Sequence, residues 1–371
     1  KAFEMIKSRW GIFVVFGLTA CLLDQQVFAC TTYSYRDVQG HIYVAKSYDW
    51  DKEKANIHTN KRGVLKSALK VMPSDSPISW TSRFSSLSFN QYGRELPNSG
   101  INEAGVVVEV MVLDDSEYER PSAKRSINES QWVQYMLDMA GSVQEAKELS
   151  SKLRLSKILI PVHYLICDRT GSCAAFEMIS GRLEISDLGI AGNKVLTNST
   201  FKNSMDYLSE FVGFGGDSPI PTGMNSLDRF VRTSNHLLKA NGLQTRESVG
   251  FGFEGLEGVE NDETMWQIVY DIDAKRVYFR SRSAENVKYV DFAAFSPQCV
   301  APVKTHEVVY PQLGDVTPRF IDYSPAKNES LVRESLGQSV PSSVLRMAIE
   351  LPQKTNCVDP KSLGNQKQRA H

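Results

Sequence analysis

Val27-Phe28-Ala29-Cys30-Thr31-Thr32-Tyr33-Ser34-Tyr35 leads into the polar turn Asp37-Val38-Gln39-Gly40 and returns through His41-Ile42-Tyr43-Val44-Ala45-Lys46. Aromatic and β-branched residues on both sides of a Gly-ended turn predict a hairpin, and its first strand starts at a cysteine. Upstream of that cysteine, Lys7 and Arg9 precede an apolar run from Gly11 to Leu23, and Val27-Phe28-Ala29 has the small-residue ending of a cleavage site. The run is too short to span a bilayer and has the order of an export signal. Residues 1–29 are therefore expected to be a signal peptide, with Cys30 left carrying a free α-amine. A competing pattern, Leu18-Thr19-Ala20-Cys21, reads as a lipoprotein processing box. Lipid on Cys21 would give membrane attachment and keep residue 30 internal.

The 371 residues are 42% hydrophobic and carry 42 basic against 43 acidic side chains, with no long block of one sign. That composition is globular, and it excludes the basic face that nucleic-acid binding needs. Of six cysteines, Cys21 falls in the leader and Cys30 starts the hairpin. The other four, Cys167, Cys173, Cys299 and Cys357, permit two disulfides in an oxidising compartment. Cys167 and Cys173 flank Asp168-Arg-Thr-Gly-Ser172, where a bridge across a hairpin fits, and four unpaired thiols are the alternative.

Strand patterns recur beyond the hairpin at Leu87-Ser-Phe-Asn90 and at Gly105 to Val112, whose apolar run suits a strand buried on both faces. They return at His163–Cys167, Ala174–Ile179 and Arg182–Ile185, and again as a hairpin of Met265–Tyr270 with Arg276–Arg280. Helical periodicity covers Asn128 to Leu153, broken at Gly141 and restarted by the capping pattern Ser142-Val-Gln-Glu145. Another helix is expected over Ser226–Ala240. Gly250-Phe-Gly252-Phe-Glu-Gly255 has dinucleotide-fingerprint spacing, but it follows a polar stretch and carries acids where a phosphate would approach. It reads as a flexible loop near the substrate mouth. Strands interleaved with helices indicate an α+β fold of sheets with helices outside. Residues 30–338 form one expected domain, and 339–371 read as a polar, loosely held tail.

A thiol on the first residue of a chain has its own base, because an α-amine with a pKa of about 8 is partly neutral near physiological pH. Six histidines at 41, 58, 163, 236, 306 and 371 show no metal-ligand spacing, and no GxSxG elbow occurs. No metal and no cofactor is expected. Lys46-Ser-Tyr-Asp49-Trp50, Asn98-Ser-Gly-Ile-Asn102, Val195-Leu-Thr-Asn198 and Asp228-Arg229-Phe-Val-Arg232, in this order after Cys30, resemble the choloylglycine hydrolase family of linear-amide C–N hydrolases, from Cys30 to about Gln338. Asn60-Lys-Arg-Gly63 and Phe89-Asn-Gln-Tyr-Gly-Arg94 are similar to its less characterised branch.

The resemblance implies a four-layer αββα sandwich of two antiparallel sheets flanked by helices, the N-terminal-nucleophile (Ntn) hydrolase fold. It implies Cys30 as nucleophile, Asp49 as the acid that orients its amine, and Asn198 as the oxyanion side chain. A second donor, a backbone N–H, is expected near Asn98. Arg229 would brace the site, with Arg232 close enough to compete. Family members that act on bile salts and penicillins carry arginine in Arg-x-x-Asp where this chain has Lys46, which keeps the charge and lacks the planar fork. The implied activity is cleavage of a small N-acyl amide through a thioester, in the periplasm or after secretion. N-acyl amino acids, N-acyl homoserine lactones, phenoxyacetyl penicillins and conjugated bile acids are all compatible, and Trp50, Trp80, Phe84, Phe89 and Tyr92 are the aromatics available for an acyl pocket. A homo-oligomer is compatible with the sequence. Two other readings stand beside it: an inactive, lipid-anchored relative that binds acyl amides or an envelope partner, and a Cys–His hydrolase using His163 or His236. Asn128-Glu-Ser, Asn198-Ser-Thr and Asn328-Glu-Ser fit the glycosylation pattern, and a glycan on Asn198 would remove the proposed oxyanion donor.

Overall fold

The computed structural model describes residues 30–70, 72–189 and 193–358. The expected leader, Cys21 and the last part of the expected tail, residues 359–371, lie outside the described residues. The opening hairpin forms as β1 (Thr31–Arg36) and β2 (Ile42–Asp49), in register from Thr31 opposite Ser47 to Arg36 opposite Ile42. Both strands are buried almost throughout because β2 also pairs with Thr264–Asp271 and is therefore internal to a sheet.

That sheet has seven strands, ordered Val195–Leu196, β1, β2, Thr264–Asp271, Arg276–Ser281, Ala284–Asp291 and Gly314–Asp315. The second has nine, ordered Arg182–Leu188, Cys173–Ile179, Val162–Cys167, Val107–Val112, Ser99–Asn102, Ser86–Asn90, β3 (Asn56–Asn60), Lys304–Glu307 and Ile321–Asp322. Pairing within these two sheets is antiparallel except where Ala284–Asp291 meets Gly314–Asp315. Ile57, Leu87 and Phe89 on one sheet and Val44, Ile268 and Phe279 on the other belong to one buried cluster, with Phe89 and Phe279 edge to face at 5.7 Å.

The helices α1 (Glu129–Met139) and α2 (Val143–Ser151) cover the outer face of the nine-stranded sheet, over a second cluster built on Trp132, Tyr164 and Phe176. Asn128 caps α1 by accepting from Gln131 N–H, and Ser142 caps α2 by accepting from Glu145 N–H. Glu145 reaches back to Gly141 N–H at 3.0 Å, one residue earlier than in the usual reciprocal box. On the other side, α3 (Phe201–Leu208), α4 (Ser226–Leu237) and α5 (Thr245–Glu257) cover the seven-stranded sheet. The result is the four-layer αββα sandwich.

Two expectations are corrected. The Gly250–Gly255 segment is not a loop; it lies inside α5. A Cβ on Gly252 would collide with Tyr35 Oη and one on Gly255 with Tyr33 Oη. The missing side chains thus let the helix approach β1 closely enough for Tyr33 and Tyr35 to donate to Gly252 O and Ser248 O. The stretch after residue 338 is not loosely held as far as it is described. Residues Ser342–Glu350 form α7, packed on α6 (Pro325–Leu336), and Asn356–Cys357 pairs with Val64–Ser67. Apolar residues at helical spacing within a polar composition bury Ala348 and Leu351 against Val332 and Leu336.

Both disulfides form. Cys167–Cys173 crosses the ends of paired strands, and Cys299–Cys357 ties the segment after α7 to the body across a sequence separation of 58. A loop of that length corresponds to about 4 kcal/mol of stabilisation by restricting the unfolded chain. Cys357→Ser is expected to lower the denaturant midpoint accordingly, read by urea titration under oxidising conditions against wild type.

Candidate functional site

Along β2, side chains alternate between faces. Lys46 and Tyr48 point between the sheets, whereas Ser47 and Asp49 share the opposite face with Thr31, which lies opposite Ser47 on β1. The strand thus divides the site into a thiol side and a carboxylate side. Cys30, with Tyr48, Trp50, Tyr92, Asn98, Val112, Leu159 and others, lines a cleft between the Val107–Val112 strand, α1 and the loop before Val162. Cys30 is the free cysteine among the described residues, and its Sγ lies 3.9 Å from Asp49 O. Burial pushes its thiol pKa up; Lys46 pulls it back down, Asp49 adds to the rise, and Arg229 opposes it.

Asp49 is fully buried. Its carboxylate accepts from Ser47 Oγ and, at 3.2 Å, from Asn261 Nδ2. Burial raises its pKa, opposed by the Ser47 hydrogen bond and then by the Arg229 charge. Arg229 enters from α4, where an Asn225 cap fixes the first turn. Its Nη1 donates to Cys30 O and Thr31 Oγ1, both at 2.7 Å, its Nη2 to Asn198 Oδ1 at 2.9 Å, and its Nε to Met224 O at 3.1 Å. One guanidinium therefore joins residue 30 to residue 198, the planar-fork geometry that lysine lacks. Arg232 donates instead to Gly223 O at 3.2 Å.

Asn198 follows the Val195–Leu196 strand. Its backbone N–H donates to Ser226 Oγ, and its Nδ2 donates to Val112 O at 2.9 Å, so the amide plane is fixed by the Arg229 and Val112 bonds. One Nδ2 hydrogen points to Val112, and the other is the donor that a reacting oxygen could use. Asn98 differs from expectation: its backbone N–H already donates to Phe89 O at 2.8 Å. The donor it offers the cleft is its side-chain Nδ2, 3.1 Å from Tyr48 Oη, while its Oδ1 accepts from Gln91 N–H.

Lys46 lies between the sheets, with Nζ donating to Val110 O at 2.8 Å and 3.8 Å from Glu109 Oε2. Glu109 is fully buried, and burial outweighs the Lys46 charge, pushing its pKa up to about 8. An acid whose folded-state pKa exceeds its ordinary value of 4.5 holds its proton more tightly when folded, so its contribution to stability falls as pH rises from about 4.5 through about 8. Glu109→Gln is expected to flatten the decline of thermal midpoint across that window, measured by unfolding scans from pH 5 to pH 9.

Neither histidine proposed as a partner for the thiol is bonded to it. His163 is buried between Glu177 (2.9 Å) and Thr197 O (2.7 Å), and His236 Nε2 meets Phe251 O at 3.0 Å. No group of three or more His, Cys, Asp or Glu residues able to hold a metal occurs among the described residues. Of the five aromatics suggested for an acyl pocket, Trp50 and Tyr92 line the cleft. Trp80 and Phe89 are core residues, and Phe84 packs under Arg83.

Sequence reasoning missed Ser47, Glu109, Asn261 and Ser226. Ser47 shares strand parity with Asp49, and Glu109 is an acid inside an apolar strand, which calls for a buried partner; both were readable. Nothing in the Asn261-Asp-Glu segment singles out Asn261. The three glycosylation-pattern asparagines all have structural duties: Asn128 caps α1, Asn198 bridges Arg229 and Val112, and Asn328 Oδ1 accepts from Arg94 N–H at 2.8 Å. Asn128 and Asn328 are buried.

Two facing sheets in an αββα sandwich, with Cys30 immediately before an internal strand, have the architecture of the Ntn-hydrolase fold. The profile of the linear amide C-N hydrolases, choloylglycine hydrolase family, matches residues 30–303, and the chain belongs to that family. It is accordingly a linear amide C–N hydrolase. The matched segment ends before the expected limit near Gln338 and leaves α6 and α7 outside it. The fold is similar to that of a penicillin V acylase from Agrobacterium tumefaciens, at 24% identity and a TM-score of 0.70 over 80% of this chain and 98% of that one. It is also similar to a variant of the conjugated bile acid hydrolase from Clostridium perfringens, at 17% identity and a TM-score of 0.64 over 77% and 98%. No curated protein sequence matches the chain.

Proposed function

We propose that Cys30, as the first residue of an exported and processed chain, cleaves the amide of an N-acyl substrate whose apolar acyl group lies in the Tyr48–Trp50–Tyr92–Leu159 cleft. The observation that carries this reading is the Arg229 guanidinium holding Cys30 O and Asn198 Oδ1 together at one end of that cleft. The reaction follows from the groups present. The α-amine freed by cleavage after Ala29 takes the thiol proton, and the sulfur bonds to the acyl carbon as the carbonyl pair moves onto oxygen. Asn198 Nδ2 and Asn98 Nδ2 are the side-chain donors available to that oxyanion. The α-ammonium then protonates the leaving nitrogen, the C–N bond breaks, and a thioester remains on Cys30. Water, deprotonated by the same amine, attacks the thioester and releases the acid. Asp49, buried beside residue 30, is the acid suited to pair with the ammonium. The comparison structures are described as a penicillin V acylase and a conjugated bile acid hydrolase.

Two disulfides suit the periplasm or the exterior. The test is intact mass and N-terminal sequencing of protein from its native host, followed by amine release from a panel of N-acyl amides. A chain starting at Cys30 that releases amine supports the reading. A lipidated Cys21 or a retained leader overturns it and leaves a membrane-anchored binding role.

A further inference from the structure

The turn that carries Tyr92 into the cleft is held from outside the family-matched segment. Between Asn90 and Leu96 the backbone takes positive φ twice, at Gly93 (90°) and at the non-glycine Glu95 (75°), a conformation that needs support from its surroundings. Part of that support is α6. Asn328, buried on α6, accepts the Arg94 N–H through Oδ1, and Val332 packs where a Cβ on Gly93 would stand. The end of the same helix holds the other side of the wall: Lys52 Nζ donates to Glu334 O at 3.1 Å and Ser335 O at 3.0 Å. Lys52 O in turn accepts from Gln91 Nε2 at 2.6 Å, and Gln91 Oε1 accepts from Tyr48 Oη at 2.7 Å. One small apolar cluster contains Val332, Leu336, Ala348 and Leu351 together with Tyr92 and Leu96, and Trp50 and Leu159 pack against it. Tyr92, Trp50 and Leu159 all line the cleft that holds Cys30. The unit is fastened at its far end by Cys299–Cys357 and by the pairing of Asn356–Cys357 with Val64–Ser67.

We propose that α6 and α7 set the acyl selectivity of the cleft, with Asn328 as the positioning residue that fixes the Tyr92 wall. This rests on the reading that Cys30 attacks an acyl amide in that cleft. The ligand feature selected is the length and width of an apolar acyl group, since the wall is made of aromatic and aliphatic side chains. Removing the acceptor for Arg94 N–H leaves a buried donor unpaired and frees a turn whose dihedrals depend on it.

The experiment compares Asn328→Ala, Asn328→Asp and wild type on a series of N-acyl amides that share one amine and differ in acyl length. Asn328→Ala is expected to change the long-to-short ratio of kcat/KM by about tenfold, through KM, with kcat on the shortest substrate within about twofold. Asn328→Asp, which keeps an acceptor oxygen for Arg94 N–H, is expected to restore the wild-type ratio. An unchanged ratio, with only a lower thermal midpoint, overturns the proposal, because a merely structural helix would behave that way. Should Asn328→Ala fail to fold, Val332→Ala tests the same contact from the neighbouring turn of α6. If wild type hydrolyses none of the series, the reading of the site fails. The selectivity wall is then read without turnover, as the ratio of Cys30 alkylation rates by 1-iodo-2-decanone and iodoacetone, iodomethyl ketones that differ in the chain on the acyl side of the carbonyl, followed by peptide mass. A ratio shifted by Asn328→Ala sustains the wall, and an unshifted one removes it.

Discussion

Cys30→Ala is expected to abolish amide hydrolysis, a loss on the order of 10⁴ or more in kcat, while thermal stability stays near that of wild type. The magnitude follows from the scheme, in which the sulfur forms the covalent intermediate and Cys30 is the free cysteine among the described residues. The small stability change follows from geometry. Arg229 grips residue 30 through its backbone carbonyl and through Thr31 Oγ1, neither of which the substitution touches. Alanine also suits a buried, largely apolar position where the thiol's hydrogen bond to Asp49 O is a long one at 3.9 Å. Amine release and unfolding, measured on the same preparation, check both halves. Retained hydrolysis would move the chemistry to another group altogether.

Arg229→Met is expected to do two kinds of damage. The guanidinium is buried, and its removal leaves Cys30 O, Thr31 Oγ1, Asn198 Oδ1 and Met224 O without its hydrogen bonds. Breaking a buried charged network of this kind costs about 3–5 kcal/mol. Burial lowers the arginine's own pKa and the Asp49 charge opposes that fall, so Asp49 also loses a compensating cation. Freed from Arg229, Asn198 can rotate about its remaining bond to Val112 O, and loss of a fixed oxyanion donor is worth about 10²–10³ in kcat. Denaturant unfolding and single-turnover kinetics separate the two effects. Arg232→Met, at a guanidinium that meets Gly223 O rather than residue 30, is the matched control and should leave kcat close to wild type.

Much of this site was legible before any coordinates. The Cys30 hairpin, the buried Val107–Val112 strand, the Asn128 and Ser142 helix starts and the 226–240 helix all follow from patterns a few residues long, because local propensity and tertiary fold agree there. The resemblance implied separate roles for Asn198 and Arg229, but their hydrogen bond was not readable from any local pattern: the two are brought together by α4 crossing the end of a strand. The Gly250–Gly255 error has a definite cause. Glycines usually interrupt helices, but here they are sites of close approach to Tyr33 and Tyr35, and a contact across more than 200 positions leaves no trace in a short window. The polar tail was misjudged for a related reason. Its composition is that of an exposed segment, whereas its few apolar residues fall on one helical face and Cys357 has a partner far back in the chain at Cys299.

The three glycosylation-pattern asparagines bear on where this protein can be made. Oligosaccharide transfer acts on an extending chain, before α1, α4 and α6 exist to hide anything. A secretory host of that type would therefore attach sugar to side-chain amides that the finished molecule uses: Asn128 Nδ2 donates to Gln131 Oε1 at the start of α1, Asn198 Nδ2 donates to Val112 O, and Asn328 Oδ1 accepts from Arg94 N–H beside the Gly93 turn. Chains so marked could not close around those positions, and yield from such a host would measure how often modification outruns folding. Bacterial expression into an oxidising compartment avoids that race.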